Sequence, residues 1–313
     1  MDDGDQCALS GGAYGRIDAP YLWFCELRDE LLRQNCRQCP LDPCVFTYGK
    51  TGPDGKYKPL GCLGIHVDDG IGGGTPEFLE MLGRVEKRFK FGTFETGEFK
   101  YTGIQFKQWD DGSIEYDQKG YIERIEPIST PRERKARPET AVDDKERHAL
   151  RSLIGALQYA GVHTRPDLCA KIGEVQASVT RATIADLMQC NRILHEAKSH
   201  PVSLMVLPIE PKRVTFCAFS DASFLSSKHS TAHQGTLVFT TTPEILENKR
   251  AVVAPVAWSS KKVPRVVRST LSAEAAALSN SVDRLLWLRM LWAWVEDPDC
   301  EWGSPEDVLQ SEM

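Results

Sequence analysis

The chain has 313 residues, 41% hydrophobic and 26% charged, an ordinary globular balance and enough length for two domains with separate cores. Its 38 basic and 44 acidic residues leave a net charge of −6, which excludes a strongly basic nucleic-acid coat protein but not an enzyme with a local basic groove. No apolar run is long enough to span a membrane, and MDDGDQCALSGG lacks the basic start and apolar run of a secretion signal, so an intracellular setting is expected.

In chain order, PYLWFCELRDELLRQN at 20–35 reads as an amphipathic helix with Pro20 in its first turn. Short apolar runs at 44–48 and 60–67 flank the turn-rich TGPDGKYKP and read as a hairpin. PEFLEMLGRVEKRFK at 76–90 is a second amphipathic helix. Strands are expected at 98–107 and 112–117, joined by WDDGS. The polar stretch 128–147 has no apolar period and reads as a linker. Residues 148–200 look helical, with a break at HTRPD. Three β-like segments follow (VTFCAFSDASF, TAHQGTLVFTTT and VVAPVAWSS), then a helix from about 270 to 295.

Ten cysteines without a secretion signal do not read as a disulfide framework. Cys36-x-x-Cys39 with Cys44 and His66 raises zinc. No second tight ligand pair follows, so packed or free thiols are the favoured reading.

Asp68 and Asp69 end an apolar run, and four glycines follow in residues 70–74. Adjacent carboxylates repel, and alternation along a strand lets only one of them face a given site. Two readings stand: a solvated turn, for which Asp-Asp-Gly is good chemistry, or a hairpin holding divalent cations. The sequence GIGGGTP lacks the Lys-Ser/Thr ending of a phosphate loop, and flexibility after a tight hairpin is the expected role of its glycines.

Asp221 shares a strand face with Phe219 and Cys217 by period two. Glu274 has Leu271, Leu278 and Val282 near its face, so it is expected on the apolar side of its helix, paired or metal-bound, or else at the rim. Between them, Lys261, Lys262, Arg265 and Arg268 form either a solvated face or a grip for a phosphate backbone.

These segments, in this order, resemble the Pol polyprotein of copia-type retrotransposons, from late reverse transcriptase into ribonuclease H. GGAYGRIDAPYLWF is similar to the family's Tyr-Gly segment, with Tyr14, Gly15, Ala19, Pro20 and Trp23 in place. DPCVF resembles the segment before the family's catalytic hairpin, and IHVDD resembles its Tyr-x-Asp-Asp box, with His66 where the family usually has Tyr. FKFGTFETGEFKYTGIQF, DQKGYIERI and LRSLIGALQYAGVHTRPDLCAKI match the segments that follow. FSDASF and WSSKKVPRVVRSTLSAEAAALS resemble the start of ribonuclease H, with Asp221 and Glu274 in the first two metal-ligand positions.

The resemblance implies an α+β or α/β chain. Residues 1–127 would be a partial polymerase palm, 128–147 a linker, 148–210 a helical thumb or connection, and 211–313 a partial ribonuclease H-like domain. RNA, DNA or an RNA–DNA hybrid would be the partner, with no membrane. Mg²⁺ or Mn²⁺ would be held by Asp68 and Asp69 and by Asp221 and Glu274 once those sites are complete. Two departures point to incomplete sites. The family's first palm Asp lies upstream of the Tyr-Gly segment, whereas Asp2, Asp3 and Asp5 have no apolar strand around them. The third nuclease carboxylate should follow the helix on a strand, but Asp297, Asp299 and Asp307 lie in polar sequence, and Asp283 is nine residues past Glu274, about 13.5 Å along a helix. The expectation is a fragment inactive as an isolated chain, or a non-catalytic nucleic-acid-binding remnant.

Overall fold

The computed structural model describes residues 17–89, 91–224 and 232–300. The chain forms two compact units. Tyr14 and Gly15 of the Tyr-Gly segment, the early acidic residues and Asp307 lie outside the described residues. The fold is α+β, with three antiparallel sheets and eight α-helices among the described residues. No helix there is long and apolar enough to cross a membrane.

The first unit takes residues 17–94 together with the segment from Met290. Helix α1 (Ala19–Arg33) leads into strands β1 (Cys36–Gln38), β2 (Val45–Thr51), β3 (Tyr57–His66) and β4 (Asp69–Gly74), followed by helix α2 (Pro76–Phe89). The strands pair in sequence order, each antiparallel to the next. Leu27 and Leu31 of α1 and Phe78, Met81 and Val85 of α2 bury against Phe46, Tyr48, Leu63 and Ile65 of the sheet. Trp23 meets Phe89 edge-on at 5.0 Å and so ties the start of α1 to the end of α2.

Glu30 is buried on α1 and held in its charged form. The Gln34 amide donates to it at 2.8 Å, and Arg33 (2.9 Å) and Arg88 pair with it. The Gln34 bond, and then the two guanidinium groups, hold its carboxyl below the ordinary 4.5 despite burial. A depressed carboxyl pKa contributes stability that is complete above the unfolded value and is lost as pH falls through the folded one. Wild-type stability is therefore expected to drop as pH falls from the ordinary carboxyl range, about 4.5, into more acid solution. Glu30→Gln should be less stable near neutrality and flatter across that window, as measured by urea midpoints.

The second unit spans Glu95–Arg289. Strands β5 (Glu98–Tyr101), β6 (Ile104–Gln108) and β7 (Ile114–Asp117) form a meander, completed by β8 (Leu204–Val206) after a run of helices. The single strand expected over 98–107 is two, because Thr102 (φ 46°) and Gly103 (φ 81°) both turn left-handed and close a two-residue hairpin. WDDGS turns as expected, with Gly112 at φ 85° and the Asp111 carboxylate accepting from the Ser113 N–H at 2.9 Å.

The helices are α3 (Lys119–Glu123), α4 (Arg132–Lys135), α5 (Asp144–His163), α6 (Cys169–Ser178) and α7 (Ile184–Ser199). Leu150, Leu153, Leu157, Ile172, Ile184 and Ile193 centre their core. Asp143 and Glu146 form a capping box at the start of α5. The polar stretch 128–147 is not free chain. The Ile128 backbone bonds the Asn191 amide in both directions (2.8 and 2.9 Å), Arg134 pairs with Glu146, and Ala141 bridges to Thr183. Its polarity reflects side chains that satisfy backbone groups locally rather than an unanchored segment.

The Thr-Arg-Pro-Asp element is a structural staple. Thr164 donates to Gln118 Oε1 at 3.0 Å. Arg165, 1% exposed, donates to both oxygens of Asp167 (2.9 and 2.7 Å) and to the Ala197 carbonyl (2.9 Å).

The last sheet has the order β11 (Ala254–Lys262), β10 (His233–Thr241), β9 (Thr215–Ser223), all antiparallel, and precedes helix α8 (Thr270–Glu296). Ala273, Ala277 and Ser281 of α8 are buried, and the Ser281 hydroxyl donates to Thr236 Oγ1 at 3.0 Å. Small residues let the helix lie close to the sheet.

Candidate functional site

Strands β3 and β4 are joined through Val67 and Asp68, with His66 paired to Asp69. Val67 has φ 58°. Two-residue hairpins favour Gly, Asn or Asp at such a position, and a β-branched residue there is an outlier that its surroundings must hold in place. Asp68 sits at the hairpin tip and Asp69 opens β4, both exposed. Adjacency on a hairpin thus keeps two like charges in water, where their repulsion is screened.

Two of the four glycines after the pair, Gly72 and Gly74, serve close packing. They lie within β4, and α2 presses Phe78 onto the sheet beside them. A Cβ at Gly72 would come within 2.6 Å of the Cys62 carbonyl and 3.0 Å of Phe78, and one at Gly74 within 2.5 Å of the Leu60 carbonyl. Gly61 on β3 is tighter still, at 2.3 Å from the Phe78 ring.

Asp221 and Glu274 are not brought onto one face. Directly paired residues share a sheet face. Ser220 pairs with Thr236, whose side chain meets α8. Asp221, one residue on, pairs with Gly235 on the opposite face. Glu274 is half-buried on the flank of α8. Its expected apolar neighbours Leu271 (79%), Leu278 (57%) and Val282 (41%) point to solvent. Helix α8 is apolar nearly all round, so periodicity alone did not reveal which side the sheet would take.

Among the described residues, no three His, Cys, Asp or Glu side chains converge as a metal set. Among the described residues, neither Asp68–Asp69 nor Asp221–Glu274 is joined by a third carboxylate. Among the described residues, Cys36, Cys39, Cys44 and His66 form no such set either. Burial pushes the Cys36 thiol up to about 12 and the Cys62 thiol up to about 11, Cys39 is buried, and His66 stands exposed at the hairpin. Asp299, outside any such set, pairs with Arg37 and accepts from the Tyr57 N–H at 2.7 Å, within the first unit.

Lys261, Lys262, Arg265 and Arg268 are all exposed, on the end of β11 and the loop after it, and none has an ion-pair partner among the described residues. The Asp221 face of the sheet opens into a cleft of about 460 Å³ whose other wall is α6 with the Pro166 turn before it. Phe219, His233 and Trp258 line this cleft. Trp258 opens the WSSKKVPRVVR segment, which does not single it out as a site residue, and His233 carries no motif or period. Only the pairing of three strands places them beside Asp221.

No protein-family model matches the chain. It is 26% identical over 298 residues to the retrovirus-related Pol polyprotein from transposon RE1 of Arabidopsis thaliana, covering 90% of this chain and 19% of that protein. The corresponding polyprotein from transposon RE2 of the same plant is 24% identical over 301 residues, again with 90% and 19% covered. The polyprotein from transposon TNT 1-94 of Nicotiana tabacum is 26% identical over 189 residues, 54% of this chain and 14% of that protein. The chain thus spans about a fifth of the length of the first two relatives. It is related to retrotransposon Pol polyproteins over most of its length.

Proposed function

We propose, from this kinship with retrotransposon Pol polyproteins, that the chain is a polyprotein segment of the RNA-directed DNA polymerase and ribonuclease H lineage, and that it is not a catalyst by itself. One observation carries the reading. The palm-hairpin, connection and nuclease-start motifs occur in the family's order, and the relatives match across 90% of the chain. Asp68 and Asp69 would be the polymerase carboxylates of that lineage, and Asp221 and Glu274 the nuclease ones. Divalent cations would supply activation of the attacking oxygen and charge stabilisation. The expected inactivity rests on carboxylates that do not converge into a metal set among the described residues.

The test is primer extension and hybrid cleavage with Mg²⁺ or Mn²⁺, with Asp68→Asn and Glu274→Gln beside the wild type. Background-level turnover in all three is expected. Turnover that either substitution abolishes would overturn the inactive reading.

The basic group at 261–268, exposed and without an ion-pair partner among the described residues, favours a second role for the same segment, binding nucleic acid without chemistry. If all four cations contact phosphates, the logarithm of affinity should fall with the logarithm of salt at a slope of roughly −3 to −4.

A further inference from the structure

The cleft beside Asp221 is built as a grid by strand pairing, since residues directly opposite one another share a face. Its inner row is Phe219–Leu237–Trp258, its middle row Asp221–Gly235–Ser260, and its outer row Ser223–His233–Lys262. The centre of the grid is therefore a glycine. A Cβ built on Gly235 would meet nothing nearer than the Asp221 carbonyl at 3.9 Å, so the floor is open rather than filled. Flat apolar surface borders the floor on one side, where Phe219 is 67% exposed and Trp258 anchors its indole N–H on the Gly161 carbonyl at 2.7 Å. Polar groups border the other. Asp221 is exposed and has no partner among the described residues, and the buried Nε2 of His233 has none either. Lys262, directly opposite His233, stands at the outer rim on the same face, and the remaining basic residues follow it in the chain.

We infer that this cleft takes one unstacked base of a single-stranded nucleic acid. The base lies on the Phe219 side of the Gly235 floor, its polar edge meets Asp221 and His233, and the flanking phosphates run past Lys262. Aromatic surface joined to a cationic rim is the combination that holds single strands, because every base has a flat face and every link a charge. A cleft of about 460 Å³ suits a group of nucleoside size. An ionised carboxylate only accepts hydrogen bonds, so Asp221 selects bases with an exocyclic amino group, such as cytosine and adenine, over thymine and uracil. The inference rests on the nucleic-acid-binding role proposed above and specifies its ligand. It also gives Asp221 a use on the face where the fold puts it, away from Glu274.

The test is fluorescence anisotropy on the full chain at low salt, with labelled oligo-dC, oligo-dT and an RNA–DNA hybrid of equal length. The two pyrimidine strands stack similarly, so their difference reports mainly the base edge, an amino group and ring acceptor in cytosine against a carbonyl and imide N–H in thymine. Oligo-dC is expected to bind about tenfold tighter than oligo-dT, the scale of one charge-assisted hydrogen bond. Asp221→Asn, at an exposed position, should erase that difference, because an amide both donates and accepts. Gly235→Val should weaken both single strands about tenfold or more while leaving the hybrid unchanged. Equal affinity for the two strands, with Asp221→Asn indistinguishable from wild type, would overturn the inference. Hybrid binding in that case would leave the broader nucleic-acid role standing, and absence of binding to any of the three would sink both.

Discussion

Replacing Arg165 with alanine is expected to cost the second unit about 3–5 kcal/mol, the penalty for breaking a buried, fully bonded charge. Its guanidinium is the largest fully buried side chain among the described residues, and it makes three hydrogen bonds, two to Asp167 and one to the Ala197 carbonyl. Truncation opens a cavity between the turn after α5 and the end of α7, and it orphans a backbone carbonyl there. Lysine does not rescue the site, because one ammonium cannot span both carboxylate oxygens and reach a carbonyl on the far side. Urea unfolding followed by circular dichroism should place Arg165→Ala and Arg165→Lys well below wild type, with the loss insensitive to salt. Asp167, 45% exposed at its side chain, should cost less when changed to asparagine. A near-neutral Arg165→Ala would mean the staple is incidental.

A smaller but still large loss is expected in the first unit from a single added methyl. In Gly61→Ala the new Cβ would lie 2.3 Å from Cγ of Phe78, and that ring is fully buried between α2 and the sheet with nowhere to go. Overpacking of this kind costs about 1–3 kcal/mol. Phe78→Ala alone should cost about 3–5 kcal/mol through lost burial and the cavity left behind. The two effects should not add. With the ring gone, only the 2.8 Å approach to the Cβ of residue 78 remains, so Gly61→Ala should cost clearly less in the Phe78→Ala background than in the wild type. A double-mutant cycle on urea midpoints reads this coupling, and strict additivity would refute the contact.

Much of this fold is legible in sequence because its signals are local. The helix over 76–89 shows in the spacing of Phe78, Met81 and Val85. The WDDGS turn shows in an Asp that bonds two residues on and a Gly that turns left-handed. Pro20 marks a helix start by chemistry confined to one turn, whereas the Asp143–Glu146 box starts α5 at Asp144, inside the stretch read as linker. Failures came where the signal was short or shared by two outcomes. Thr-Gly at 102–103 is a brief turn signal inside an apolar run, so two strands read as one. Gly72 and Gly74 of β4 suit flexibility and close packing equally, and only the approach of Phe78 chooses between them. The polar run 128–147 has the composition of a linker, and several of its side chains bond within the run, Arg134 to Glu146 and to the Ala141 carbonyl.

The candidate sites divide along the same line. The amino-acid sequence by itself determined the presence and order of the elements, the kinship they carry, and the Asp68–Asp69 pair at a hairpin, since turn chemistry and strand alternation act within a few residues. Only the tertiary structure decided which face of a strand or helix each carboxylate occupies. A one-residue step along β9 moves a side chain to the other side of the sheet, and the choice of Ala273, Ala277 and Ser281 as the buried stripe of α8 comes from what packs against it. That step separates Asp221 from Glu274 and sets it beside Gly235, His233 and Trp258, residues joined to it by strand pairing and by nothing written along the chain.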